Sequence, residues 1–322
     1  MLAGSTPVAG AKNCSEAPSF VGGVLTMPDS ASRHIYTYRA VQTDPDLSIA
    51  DRRVRLGRMQ GKQMGLWCLG AIMLLAGCGS TSMTTSVSHP AAKPFTGLPQ
   101  VGALFAGPAE GGVHFCTASV VHSPRHNLLI TAAHCLSGTG SNLVFVPGYH
   151  DGISPFGSWS VGAVYASTRW LTNHDPREDY AFLTLELQQR SGRAVAVEDE
   201  VGADRLVISQ GLHVWATVIG YPLGTSGKPI TCRSETYDHD GYPTFDCDGY
   251  VDGTSGSPWI TDINPATRRG DLYGVIGGLH QGGCTPQVSY SSYFGSDIQA
   301  LYDRAIHGGS GDDMPSAGRD GC

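Results

Sequence analysis

The sequence predicts an all-β fold of sandwich or barrel type, and two observations carry that expectation. The 322 residues include 43 glycines and only 15% charged residues, a balance that suits a turn-rich β protein better than a helical bundle. From about residue 97 to 295, short apolar or alternating runs are separated by Gly and Pro turns, the cadence of many short strands.

Seven runs serve as strand candidates: 113–122, 127–131, 142–147, 159–166, 180–187, 213–219 and 272–279. One helix is expected near the end. Ser296 can cap it, and Ile298, Leu301, Tyr302, Ala305 and Ile306 fall near helical spacing. Residues 308–322, rich in Gly, Ser and Asp, are expected to form a flexible tail.

Residues 1–58 show no sustained periodicity and read as disordered or untranslated. The apolar run 65–77 follows Lys62 and is too short to span a bilayer comfortably, but it suits an export signal. Met59 lies just ahead of it and is the expected true start. Residues 79–96, rich in Ser and Thr, read as a tether. With 41% apolar residues the chain can bury a core. Net charge is −7 and no basic tract dominates the folded part, so nucleic acid is not an expected partner. Nine cysteines, several at spacings that suit disulfides, point to an oxidising compartment.

Three segments carry chemistry. Gly253-Thr254-Ser255-Gly256-Ser257-Pro258 sets a serine between glycines, which lets the backbone turn tightly and aim its N–H groups inward. Thr131-Ala132-Ala133-His134-Cys135 follows an apolar strand, and its small residues let a histidine ring pack against the strand end. Cys135 can bridge to Cys116 and pin that histidine loop to the neighbouring strand. In Asp175–Leu185 an acid stands at the mouth of an apolar strand. Asp179 is preferred over Asp175 and Glu178 because it directly precedes the buried residues. A buried carboxylate there can orient a histidine and stabilise its imidazolium. His114 with Cys116 has no second ligand pair at metal spacing, so neither a metal nor a cofactor is expected.

In their order, His134 then Asp179 then Ser255, the three segments resemble the chymotrypsin/trypsin superfamily of serine peptidases, closest to its bacterial, V8-like members. The resemblance covers residues 97–307. It implies two six-stranded antiparallel β-barrels with a C-terminal helix, and a peptide-bond hydrolase acting on a protein or peptide substrate. It further implies an oxyanion site at the amides of Gly253 and Ser255, and substrate contacts at Gly249, Tyr250, Gly277 and Gly278. Gly249 stands where trypsins carry the acid that selects Lys and Arg, Gly277 where they carry a serine, and Thr254 where they carry the aspartate of the activation switch. The disulfide flanking the nucleophile is displaced. Cys232–Cys247 is the preferred pairing, Cys247–Cys284 its rival, and Cys284 and Cys322 stay unassigned.

The run Leu75-Ala76-Gly77-Cys78 is similar to the lipobox of bacterial lipoproteins, which implies a lipid on Cys78 and attachment to a membrane. A plain signal peptide is the alternative. The competing functional reading is an inactive peptidase-like binding lipoprotein. Retention of all three triad positions argues against it.

Overall fold

The computed structural model describes residues 89–322 apart from 110, 111, 225, 226 and 320. The signal segment, the start at Met59 and the lipidation site Cys78 lie outside the described residues.

The described chain opens with a two-residue edge strand, β1 (Lys93–Pro94). Six strands then close a barrel: β2 (Val101–Ala106), β3 (His114–Val121), β4 (Leu128–Thr131), β5 (Leu143–Pro147), β6 (Trp159–Ala166) and β7 (Ala181–Leu185), in the order β2-β3-β4-β7-β6-β5. The chain continues through a short hairpin, β8 (Gln188–Arg190) and β9 (Arg193–Val195).

The second half is one eight-stranded sheet. Its strands are β10 (Arg205–Leu206), β11 (Trp215–Gly220), β12 (Ile230–His239), β13 (Tyr242–Asp246), β14 (Pro258–Thr261), β15 (Asp271–Val275) and β16 (Val288–Tyr290). They lie in the order β10-β15-β14-β11-β12-β13-β16, with β1 on β12. This sheet is consistent with the expected second barrel, with β1 and β10 as additional short strands. Its β15 and β16 sides meet where the Gly277 N–H donates to the Tyr290 carbonyl at 3.0 Å and the Val275 N–H to Ser291 Oγ at 3.1 Å.

Three α-helices complete the described residues: α1 (Thr168–Asn173), α2 (Val197–Val201) and α3 (Ser296–His307).

Continuous apolar runs such as Leu128–Ile130 arise because these strands are covered on both faces. Leu129 points into the first barrel with Phe145, Trp159 and Leu183. Leu128, Ile130 and Phe182 point outward and pack under Ile298 and Leu301 of α3. The same alternation runs along β7, where Ala181, Leu183 and Leu185 face inward.

Three expectations change. Gly295, with extended φ, occupies the cap position of α3, and Ser296 is its first helical residue without a capping bond. The tether does not run to residue 96. Ala91 bridges Asp248, β1 pairs with β12 and Phe95 bonds Pro229, so the folded unit already includes residue 91. The tail is not free either: Met314 is buried and exchanges two backbone bonds with Gly138, and Cys322 is disulfide-bonded to Cys284.

Candidate active site

His134 sits in a single helical turn, Ala133–Cys135, at the end of β4. Ala132 and Ala133 are fully buried beneath it, and the Cys116–Cys135 disulfide ties the turn to β3. Asp179 follows another short turn, Pro176–Glu178, immediately before β7. Because β4 and β7 are neighbours in register, with Thr131 opposite Ala181, the residues just beyond their adjacent ends meet. Asp179 Oδ2 lies 2.7 Å from His134 Nδ1 and Oδ1 accepts the His134 backbone N–H at 2.9 Å.

The Asp179 side chain is 0% exposed, and an ionised carboxylate so placed requires donors. A third one is the Gly278 N–H, 2.9 Å from Oδ2. The Asp179 N–H itself donates to Ser292 Oγ at 3.1 Å, and the Ser292 hydroxyl donates to the Pro176 carbonyl at 3.0 Å. Both ends of the aspartate are therefore held by loop residues of the second half.

Ser255 lies in the loop before β14, half-buried. This loop is pressed against the histidine loop. A Cβ on Gly256, whose φ is +80°, would come within 2.2 Å of both the Thr117 carbonyl and Thr131 Oγ1, so only glycine fits. Thr117, in the middle of β3, brackets the loop. Its N–H donates to the Ser255 carbonyl at 2.8 Å and its hydroxyl to the Gly253 carbonyl at 3.0 Å. The same hydroxyl accepts the Tyr221 N–H.

The Asp252 carbonyl accepts the Leu223 N–H at 2.7 Å. Since that peptide is trans, the Gly253 N–H points the opposite way. Neither the Gly253 nor the Ser255 N–H donates to another group among the described residues.

A cavity of about 780 Å³ opens between the two halves, and His134, Gly253 and Ser255 all line it. Tyr250, Ile276, Gly282, Gly283, Pro286 and Ser289 form more of its wall, and Asp252 is its one acid. Tyr250 is buried with its hydroxyl donated to the Val218 carbonyl at 2.8 Å; burial pushes that phenol well above its usual range.

Of the four residues expected to meet substrate, Tyr250 lines the cavity and Gly249, Gly277 and Gly278 do not. A Cβ on Gly249 would face Ala92 at 3.3 Å, because the β1 segment covers it. Gly277 is pressed against Asp179, where a Cβ would approach the backbone oxygen to 2.7 Å. Gly278 spends its N–H on the Asp179 carboxylate.

The Cys232–Cys247 pairing is present, its rival is not, and Cys284 joins Cys322. His114 is a buried structural histidine, its Nε2 3.0 Å from the Tyr221 carbonyl and its pKa lowered by burial.

Thr117, Ser292 and Leu223 escaped sequence reasoning. Only Thr117 left a signal, as a polar residue inside an apolar strand.

The model of the trypsin family matches residues 99–294. The chain belongs to the trypsin family. The match spans more than half the sequence and contains all three site segments. Solved structures show the same fold. The protease Anisep from Arthrobacter nicotinovorans is 24% identical, covering 67% of this chain and 100% of its own, with a TM-score of 0.57. A thermostable serine protease, AL20, from an extremophilic microorganism is 25% identical over 66% of this chain and 98% of its own, with a TM-score of 0.55. No curated protein matches the chain.

Proposed function

We propose that this trypsin-family chain is an exported serine endopeptidase that cleaves peptide bonds through an acyl-enzyme, with Ser255 as nucleophile. One observation supports this above all. A fully buried Asp179 holds His134 by ring and backbone at once, and the histidine shares a cavity wall with Ser255.

In this reading His134 takes the Ser255 hydroxyl proton as the oxygen attacks the scissile carbonyl, then passes it to the leaving amine. Water repeats the sequence to release the acid. Asp179 sets the imidazole tautomer by accepting from Nδ1, which leaves Nε2 as the base, and stabilises the imidazolium. The unspent N–H groups of Gly253 and Ser255 receive the oxyanion; losing one such donor costs on the order of a hundredfold or more in rate. The wall formed by Tyr250, Ile276, Pro286 and Ser289 carries no charge, and Gly249 stands where trypsins carry their selecting acid, so a preference for Lys or Arg before the scissile bond is not supported.

The decisive experiment is Ser255→Ala in the purified, folded protein. Hydrolysis should fall by several orders of magnitude and fluorophosphonate labelling should vanish. Undiminished activity would refute the assignment, and a wild type that neither labels nor cleaves would favour the inactive binding protein.

Export and anchoring belong to the same proposal. The three disulfides among the described residues suit an oxidising compartment, and Cys78 ends a lipobox-like run. Wild type should enter the detergent phase of a two-phase extraction and Cys78→Ser should not. Wild type found wholly in the aqueous phase would sink the anchor.

A further inference from the structure

The tail after α3 crosses from one half of the molecule to the other. Its first anchors are on the first barrel. Arg304 pairs with both oxygens of Asp312 at 2.9 and 2.6 Å, and Asp312 also accepts the Ala166 N–H at 2.8 Å. Met314 is buried against Gly138, and His174 Nε2 meets the Ser316 carbonyl at 3.1 Å. The remaining anchors are on the cleft wall. Gln281 Nε2 donates to the Gly318 carbonyl at 2.8 Å, and Cys322 is bonded to Cys284. Gln281 and Cys284 both line the cavity that holds His134 and Ser255.

The wall so gripped has an unusual backbone. Gly278, Gly282 and Gly283 have φ of +82°, +108° and +134°, and His280 and Gln281, which carry side chains, both have φ of +52°. Two successive non-glycine residues in the left-handed region are unfavourable and persist only where the surroundings hold them. The tail is one such restraint. It also adds surface: Gln281, Gly318, Arg319, Gly321 and Cys322 line a second, open depression of about 490 Å³, and Gln281 is common to it and the cavity. Arg319 makes no ion pair among the described residues, which leaves a guanidinium on that wall.

We propose that the C-terminal residues Gly318, Arg319, Gly321 and Cys322 are a wall of the substrate cleft. It extends the cleft into a subsite for an extended peptide, several residues from the scissile bond, and Cys322 acts as a positioning residue for the Leu279–Cys284 wall. The proposal rests on the peptidase reading above, and it adds that long and short substrates are distinguished by the tail.

The test compares wild type with Cys322→Ser on three readouts. These are a short substrate with a single residue before the scissile bond, a long peptide with several, and the rate of fluorophosphonate labelling. Expected is a loss of about tenfold in kcat/KM for the long peptide, taken mainly in KM, with the short substrate and the labelling within about twofold of wild type. Arg319→Ala leaves the disulfide intact and substitutes an exposed side chain. It should lower kcat/KM for the long peptide in the same direction by a few-fold, including where Cys322→Ser does not accumulate as folded protein. Long and short substrates falling in parallel, or neither falling, would overturn the subsite. A wild type that does not label overturns the peptidase reading itself, before any variant is compared.

Discussion

Thr117 holds Ser255 in place across the interface of the two halves: the Thr117 N–H donates to the Ser255 carbonyl at 2.8 Å, from β3 of the first barrel to the Ser255 loop before β14. Its hydroxyl completes the clamp on the Gly253 carbonyl and the Tyr221 N–H.

Thr117→Val keeps the shape and the backbone bond but leaves a buried carbonyl and a buried N–H unpaired. Such groups cost about 1–3 kcal/mol, so denaturant unfolding should show a loss of that size. The loosened Gly253 should also lower kcat about tenfold with little change in KM. Unchanged kcat in a folded variant would show that the clamp does not set the loop.

Activation should not depend on a freed N-terminus. Thr254 is buried and neutral, and its hydroxyl and its N–H both donate to the Val251 carbonyl at 2.6 and 3.0 Å. The Ser257 hydroxyl donates to the Thr254 carbonyl at 2.6 Å. The loop is thus closed by its own neutral bonds, and a buried amine would find no carboxylate at that position. A chain beginning near His89, with an N-terminal tag left in place, should hydrolyse peptide within about twofold of the same chain after tag removal. Activity that emerges only on cleavage would overturn this.

Asp204 should make stability depend on pH. It is fully buried, and burial outweighs its bonds from the Gly270 N–H, Gln100 Nε2 and Ser119 Oγ, so its carboxyl is pushed up to about 6. The folded pKa lies above that of free aspartate, about 3.9, so the native chain binds the proton more tightly than the unfolded one. Its contribution is fully present below about pH 3.9 and is lost as pH rises through about 6. Unfolding free energies of wild type and Asp204→Asn, measured between pH 4 and 7, should differ in slope. The wild type should lose up to about 3 kcal/mol relative to the variant over that range. Parallel profiles would show that the carboxyl does not titrate there.

Several strands and the segments around His134, Asp179 and Ser255 were legible because their signals are local. Leu128–Ile130 and Ala181–Leu185 are apolar without break, which marks strands covered on both faces, and His134, Asp179 and Ser255 each stand in a short segment whose neighbours suit the chemistry. Cys116 and Cys135, only 19 residues apart, were readable for the same reason.

Other features depend on residues far apart in the chain. Thr117 meets Gly253 across 136 positions and Asp179 meets Ser292 across 113. No neighbour of Ser292 in Ser289-Tyr290-Ser291-Ser292 hints at that partner. The tail followed the same logic. Its composition is that of a mobile segment, yet the Arg304–Asp312 pair, the buried Met314 and the Cys284–Cys322 bond hold it down. Gly277 and Gly278 belong to Asp179 rather than to the cavity because the carboxylate closes on them from the other half. By itself the sequence determined the all-β class, several of the strands and the three segments around His134, Asp179 and Ser255, which depend on alternation and on immediate neighbours. Tertiary structure alone decided what clamps those side chains and what walls the cleft, because a hydrogen bond or a disulfide forms wherever folding brings two groups within reach.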